Sequence, residues 1–316
     1  PRWGRNEETY GEDPFLTSRI GVSFVKGLQG DHPKYLKTVA TIKHFVANNQ
    51  ENDRFNSSSE IPIKQLYEYY FPAYEACIRE AKVESVMTAY NAINGVPPSG
   101  SRWLLDEVLR KEWQFDGFVV SDCGAIGVMN WQHRSVNSLE EAVALGLNRG
   151  CDLECGTSYR EKMKEALEQN LVSEEVIDRA LTRILRARFK LGEFDPLNEN
   201  PYNHYDKSLV AGETHAKLAY ESAVNSIVLL KNESLLPLDK KKIKSIAIIG
   251  PFADHNYLGG YSGEPPHNIS LLEGIEQSVG KEVKVSYLMG TEVIDETDTI
   301  KVIPPLDIKA IEAFVE

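Results

Sequence analysis

The sequence is poor in cysteine, has no long apolar run and shows no metal-ligand spacing among its histidines, and each shortage excludes a class of protein. Four cysteines in 316 residues, Cys77, Cys123, Cys151 and Cys155, are too few for a disulfide framework. Two readings of them stay open: small buried residues, or one bridge from Cys123 to Cys151 or Cys155 in an oxidising compartment. No histidine pair sits at zinc-ligand spacing, so no metal is expected. No apolar stretch approaches the ~20 residues of a membrane span, so no membrane partner is expected. The stretch Gly250 to Asp254 with Gly259, Gly260 and Gly263 resembles a phosphate loop at first sight. It lacks the Gly-Lys-Ser/Thr ending and the Gly-x-Gly-x-x-Gly spacing, so no nucleotide cofactor is expected. There is no internal repeat and no low-complexity tract. No signal peptide is visible. The chain opens Pro1-Arg2-Trp3 and stops within an amphipathic pattern over 307–316, so both ends are expected to be cut.

What is present is ordinary for a protein with a real core: 42% hydrophobic and 26% charged residues. The length suits one large or two medium domains. The formal net charge of −12 repels phosphate backbones, which argues against a nucleic-acid partner and leaves neutral substrates unaffected.

Strand and helix patterns alternate. Leu36–Ile42 reads as a buried strand running into Lys43-His44, followed by a helical pattern over Ile63–Ala81. Ser85–Tyr90 is a second strand, closed by turn chemistry at Asn94 to Pro98. A helix over Trp103–Trp113 precedes a third strand, Gly117–Asp122. Ser138 caps a helix over Leu139–Asn148, and Cys151–Cys155 is a short fourth strand. Helices over Tyr159–Asn170 and Glu174–Leu191 follow, the latter stopped by Gly192. Continuous apolar strands alternating with helices imply a parallel sheet covered by helices. Four such units are about half a (β/α)8 barrel, although the pattern alone does not force a barrel over an open sheet. Residues 1–193 are expected to form this part and 194–212, rich in Asn and Pro, a linker. Residues 213–316 are expected to form a second, incomplete α/β domain, with a helix over Glu213–Val224, strands at Ser226–Lys231, Lys244–Gly250 and Val283–Leu288, and a helix over Ser270–Val279.

Polar residues gather where the strands end, the edge at which barrel enzymes build active sites. Asp122 closes an apolar strand and is followed by the small residues Cys123, Gly124 and Ala125, which leave room for a carboxylate to act as nucleophile or base. The competing reading is a helix N-cap. Lys43 and His44, followed by a loop holding Asn48, Asn49, Glu51, Asp53 and Arg54, suit a substrate rich in hydroxyls, or form a solvated loop. Arg5 and Tyr90 carry no signal of their own. Glu12-Asp13-Pro14 reads as a helix start, and Asp152 and Glu154 as structural or rim residues.

Taken in order, Pro1 to Asn6 with Tyr10 to Pro14, Lys43 to Phe45, Met87 to Asn91, Gly117 to Asp122, Val228 to Asn232 and Ile249 to Pro251 resemble glycoside hydrolase family 3. The resemblance covers essentially the whole chain. It implies the C-terminal half of a (β/α)8 TIM-type barrel followed by part of an α/β sandwich domain. The implied activity is the removal of single sugars from non-reducing ends with retention, without metal or cofactor. Asp122 would be the nucleophile, and Arg5, Lys43, His44, Arg54 and Tyr90 would line the pocket of an oligosaccharide substrate. The acid/base Glu of the family would lie beyond Glu316, and the early barrel strands before Arg2. The loop after Phe45 contains no His, which disfavours the hexosaminidase branch. Cys123 after the nucleophile and the Cys151–Cys155 segment lean towards β-xylosidase, with β-glucosidase the alternative. A non-catalytic carbohydrate-binding relative is the rival of another class. A secreted or periplasmic location is expected, and the fragment alone is expected to be inactive.

Overall fold

A computed structural model describes residues 8–256, 258, 261–290, 309, 311 and 313. The chain divides into two compact units, 1–204 and 205–316.

Unit one opens with α1 (Pro14–Gln29). Asp13 caps it by accepting from the Phe15 N–H, Pro14 supplies the pre-set first turn, and Gly30 ends it at φ 75°. The strands follow as β1 (Thr41–Phe45), β2 (Ser58–Ser59), β3 (Ser85–Thr88), β4 (Ala92–Ile93), β5 (Phe118–Ser121) and β6 (Leu153–Glu154). β1, β3, β5 and β6 form one parallel sheet in that order, and β2 pairs with β4. The first strand begins later than the sequence pattern suggests. The Leu36 and Lys37 amides donate to Lys190 and Gln29 carbonyls, so this stretch is anchored to helix ends before it reaches the sheet.

The helix expected over Ile63–Ala81 is built from three pieces: α2 (Ile63–Gln65), a π-helical turn at Leu66–Tyr70, and α3 (Pro72–Ala81). Pro72 has no N–H and its ring crowds the preceding turn, and the chain widens there, with the Phe71 N–H donating to the Leu66 carbonyl. A second π-helix, Trp103–Glu112, buries Leu104, Leu105, Val108 and Leu109. After β5 come α4 (Ala125–Trp131), α5 (Leu139–Arg149), α6 (Ser158–Glu168) and α7 (Glu174–Lys190). The Ser138 hydroxyl caps α5 by accepting from Glu141 N–H, and the Glu141 carboxylate returns to the Asn137 N–H. The core runs between sheet and helices, with Phe45, Val86, Leu109, Val119 and Ile126 fully buried. The neighbouring helices α1 and α3 come close because Gly21 has no side chain: a Cβ there would sit 3.1 Å from the Cys77 sulfur.

Half of the stretch expected as a linker is folded onto unit one. The Tyr35 hydroxyl donates to Asp195 at 2.7 Å, and the Asn200 amide donates to the Leu191 carbonyl at 2.8 Å.

Unit two contains α8 (Glu213–Ser226), β7 (Ser245–Ile249), α9 (Leu271–Val279) and β8 (Lys284–Leu288), with β7 and β8 parallel. Ser270 and Glu273 form a reciprocal capping box at the start of α9. The strand expected at Ser226–Lys231 is absent. Ser226 ends α8, and Ile227 to Leu230 are exposed. A buried parallel strand needs a neighbour, and among the described residues β7 and β8 pair only with each other.

Candidate active site

Asp122 stands at the C-terminal end of β5, and its amide donates to the Thr88 carbonyl of β3. Its position follows from β5 itself: Phe118–Ser121 is an apolar strand buried between β3 and β6, so the next residue emerges at the sheet edge. Asp122 is only 8% exposed. One carboxylate oxygen, Oδ1, accepts from the Cys123 N–H at 2.7 Å. The other, Oδ2, is buried with no hydrogen-bond donor among the described residues and faces His44 Nε2 at 3.4 Å. The N-cap reading fails, because α4 is capped by Gly124 at φ 76° with no side-chain bond. A buried carboxylate oxygen with no donor is costly unless a ligand meets it.

His44 comes from β1, and its carbonyl accepts from the buried Tyr74 hydroxyl at 2.8 Å, which anchors the strand end to α3. Lys43 pairs with Glu8 at 3.7 Å. Both line a hollow of about 170 Å³ with Asn48, Asn49 and Tyr70. The Asn48 amide has both polar atoms buried, with no hydrogen-bond partner among the described residues.

Tyr90 bridges the other side. Its hydroxyl donates to the Cys123 carbonyl at 2.7 Å, and its own carbonyl meets His133 Nε2 at 2.8 Å. The Phe55 ring stands edge-on to Tyr90 at 4.7 Å. The Arg54 guanidinium lies 4.9 Å from the Phe55 ring centre and 5.2 Å from that of Tyr90, a cation–π arrangement, and is paired with Glu51. Thus the structure brings Asp122 to His44 and Tyr90 to Arg54, both within one strand-end cluster, with Lys43 on the adjoining hollow. Arg5 lies outside the described residues.

Cys123 is bonded to Cys155, and Cys77 and Cys151 are free and buried. Parallel register decides between the two partners the sequence left open. Val120 lies opposite Leu153 and Ser121 opposite Glu154, so Cys155 emerges beside Asp122 and Cys123. Cys151 lies before β6 begins, where its carbonyl accepts from the Tyr159 hydroxyl. Asp152 and Glu154 are structural: Asp152 binds Arg110 and Arg183, and Glu154 accepts from the Tyr159 N–H.

The arrangement offers one carboxylate oxygen free to bond to an electrophile, an imidazole beside it, and several donors at one edge. Comparison with known proteins gives the context. Residues 1–187 match the glycosyl hydrolase family 3 N-terminal domain, and residues 227–310 match the family 3 C-terminal domain. The chain belongs to glycosyl hydrolase family 3. Among family members, a beta-xylosidase of Formosa agariphila is 40% identical, the match covering 92% of this chain and 43% of that protein. A solved family 3 exo-beta-xylosidase, XlnD, in complex with a xylobiose aziridine probe, is 38% identical with a TM-score of 0.86, covering 94% of this chain and 39% of that one. A beta-glucosidase from Erythrobacter marinus is 32% identical with a TM-score of 0.85, covering 99% and 44%. The chain spans about two fifths of the length of the curated relatives it matches.

Sequence reasoning missed three residues of this candidate site. Phe55 and His133 support Tyr90, and Tyr74 holds His44. These three act across 30 to 43 residues of sequence, whereas Cys155, which bonds to Cys123, was already one of the two partners the sequence offered.

Proposed function

We propose that the chain carries the nucleophile and part of the sugar pocket of a retaining, exo-acting β-xylosidase that cuts terminal β-linked sugars from plant-type oligosaccharides. The observation that carries this reading is the buried Oδ2 of Asp122, with no hydrogen-bond donor among the described residues, at a sheet edge beside His44. In the first step Oδ2 attacks the anomeric carbon, the C1–O bond to the leaving group breaks, and a glycosyl ester forms on Asp122. A second carboxyl group, about 5–5.5 Å away in retaining enzymes, protonates the departing oxygen and then takes a proton from water, which displaces the ester. That group is expected beyond Glu316, in the part of the relatives' length that this chain does not span. Lys43, His44, Arg54, Tyr90 and Arg5 would hold the hydroxyls of the terminal sugar, and no metal or cofactor is required.

The four-stranded sheet is proposed as half a (β/α)8 barrel, residues 1–193, followed by a linker over 194–212 and an incomplete sandwich domain over 213–316. In support, each outer strand borders an apolar hollow of about 330 Å³, one beside β1 and one beside β6, where further strands of a closed barrel would lie. A secreted or periplasmic location is supported by the disulfide. No described helix is long and apolar enough to cross a membrane.

Xylose is favoured over glucose because the relatives above include two named xylosidases. The β-glucosidase alternative rests on the Erythrobacter likeness. The test uses the full-length protein. A 2-fluoro xyloside should leave a covalent sugar on the peptide containing Asp122. Asp122→Asn should lower turnover of an aryl xyloside about 10⁴-fold, about 5.4 kcal/mol. A label on another residue, or a variant within tenfold of wild type, would sink the assignment. A higher kcat/KM for aryl glucoside than for aryl xyloside would favour the alternative.

A further inference from the structure

At the end of β5 opposite to Asp122, five arginines surround a hollow of about 370 Å³. Arg102 and Arg110 come from either end of the π-helix, Arg149 from the last turn of α5, and Arg179 and Arg183 from successive turns of α7. Such a gathering is unexpected in a chain of net charge −12, where scattered arginines would find acidic partners.

The acidic groups that face these arginines do not neutralise them all. Arg110 and Arg183 share one carboxylate, Asp152, at 2.9 and 2.7 Å. Arg102 reaches Asp106 at 3.7 Å and Glu107 at 3.4 Å, and both carboxylates also hold Lys111. Among the described residues, no carboxylate lies within ion-pair distance of Arg149 or Arg179, although both border the hollow. The Nε of Arg110 is buried with no hydrogen-bond partner among the described residues. Burial, and then the neighbouring Arg183 and Arg186 charges, push Arg110 down to about 10 against the pull of Asp152.

We infer that this hollow binds an oxyanion carried on a sugar-sized body, either a carboxylate or a phosphate ester. Guanidinium forks match the two oxygens of either group, and the hollow lies in the size range of small-ligand sites, larger than a bare anion needs. Asp106, on the same wall, accepts from hydroxyls of the attached sugar. The site is independent of the chemistry at Asp122, since it occupies the other end of the strand.

The test is calorimetry on the full chain with D-glucuronate, D-glucose 6-phosphate and, as the neutral control, D-glucose, at low and high salt. At least one anion should bind saturably and more weakly as salt rises, and glucose should not bind. The tighter of the two anions identifies the source. Arg149→Ala with Arg179→Ala should weaken binding at least tenfold without a change in the circular dichroism spectrum. If that variant does not fold, Arg149→Lys with Arg179→Lys should still bind more weakly than wild type, because a point charge loses the fork. The proposal is overturned if neither anion binds, if glucose binds equally, or if the folded double variant binds as wild type does.

Discussion

Replacing Asp152 by alanine should destabilise unit one by about 3–4 kcal/mol, and the reason is what the carboxylate leaves behind. Its side chain is 1% exposed and accepts from the Val119 N–H at 2.9 Å, from Arg110 at 2.9 Å and from Arg183 at 2.7 Å. Burial pushes Asp152 up from the usual carboxylate range and Arg110 down to about 10, so desolvation opposes the charge on both partners. The intact network therefore locates β5 and β6 more than it adds net stability. Removing only the acid strands the Arg110 guanidinium, 14% exposed, without its counter-ion, a loss of about 3–5 kcal/mol for buried pairs. It also leaves the Val119 N–H buried and unbonded, about 1 kcal/mol or more. Arg110 keeps its bonds to the Phe115 and Gly117 carbonyls, which holds the total near the lower end. With a urea slope of about 3 kcal/mol/M, the unfolding midpoint should fall by about 1 M. Asp152→Asn, which preserves an acceptor for Val119, should fall by less. A shift below about 0.3 M with an unchanged slope, measured by circular dichroism in urea, would refute the reasoning.

Three further outcomes are expected. Cys123→Ser with Cys155→Ser should cost about 3–4 kcal/mol, because the bridge closes a loop with a sequence separation of 32; wild type in reductant should then unfold at the same urea concentration as the variant. His133→Ala removes the ring that meets the Tyr90 carbonyl and should lower kcat/KM of the full-length protein for aryl xyloside several-fold, with His133→Gln restoring part of it; equal kinetics for all three proteins would exclude a positioning role. Bonding to Lys162, then to its own amide and Ser138, holds Glu140 down to about 2. A lowered carboxylate contributes stability that is present above its ordinary value and lost as pH falls through the folded value. Thermal melts between about pH 5 and 2 should therefore show a smaller loss for Lys162→Met than for wild type.

The parts of this fold that were legible in sequence are those whose chemistry is local. Asp13 and Ser138 accept free amides at the start of their own helices, and Gly192 takes a positive φ just past the end of α7; each choice is made within a few residues. The apolar runs at Ser85 and Phe118 form strands for a similar reason, since each is buried on both faces along its length. The candidate site was legible only as residue types at strand ends. Nothing near Asp122 in sequence separates a nucleophile from a helix cap.

By itself the sequence determined the alternation of strand and helix, the cluster of polar groups at strand ends, and the family, because these depend on short-range pattern and composition. Tertiary structure alone decided that β1 starts at Thr41, that 195–204 folds back on unit one, that Cys123 pairs with Cys155, and that His44 faces Asp122. These are matters of register and packing between segments far apart in the chain, and parallel strands joined by helices meet only after the intervening residues have folded.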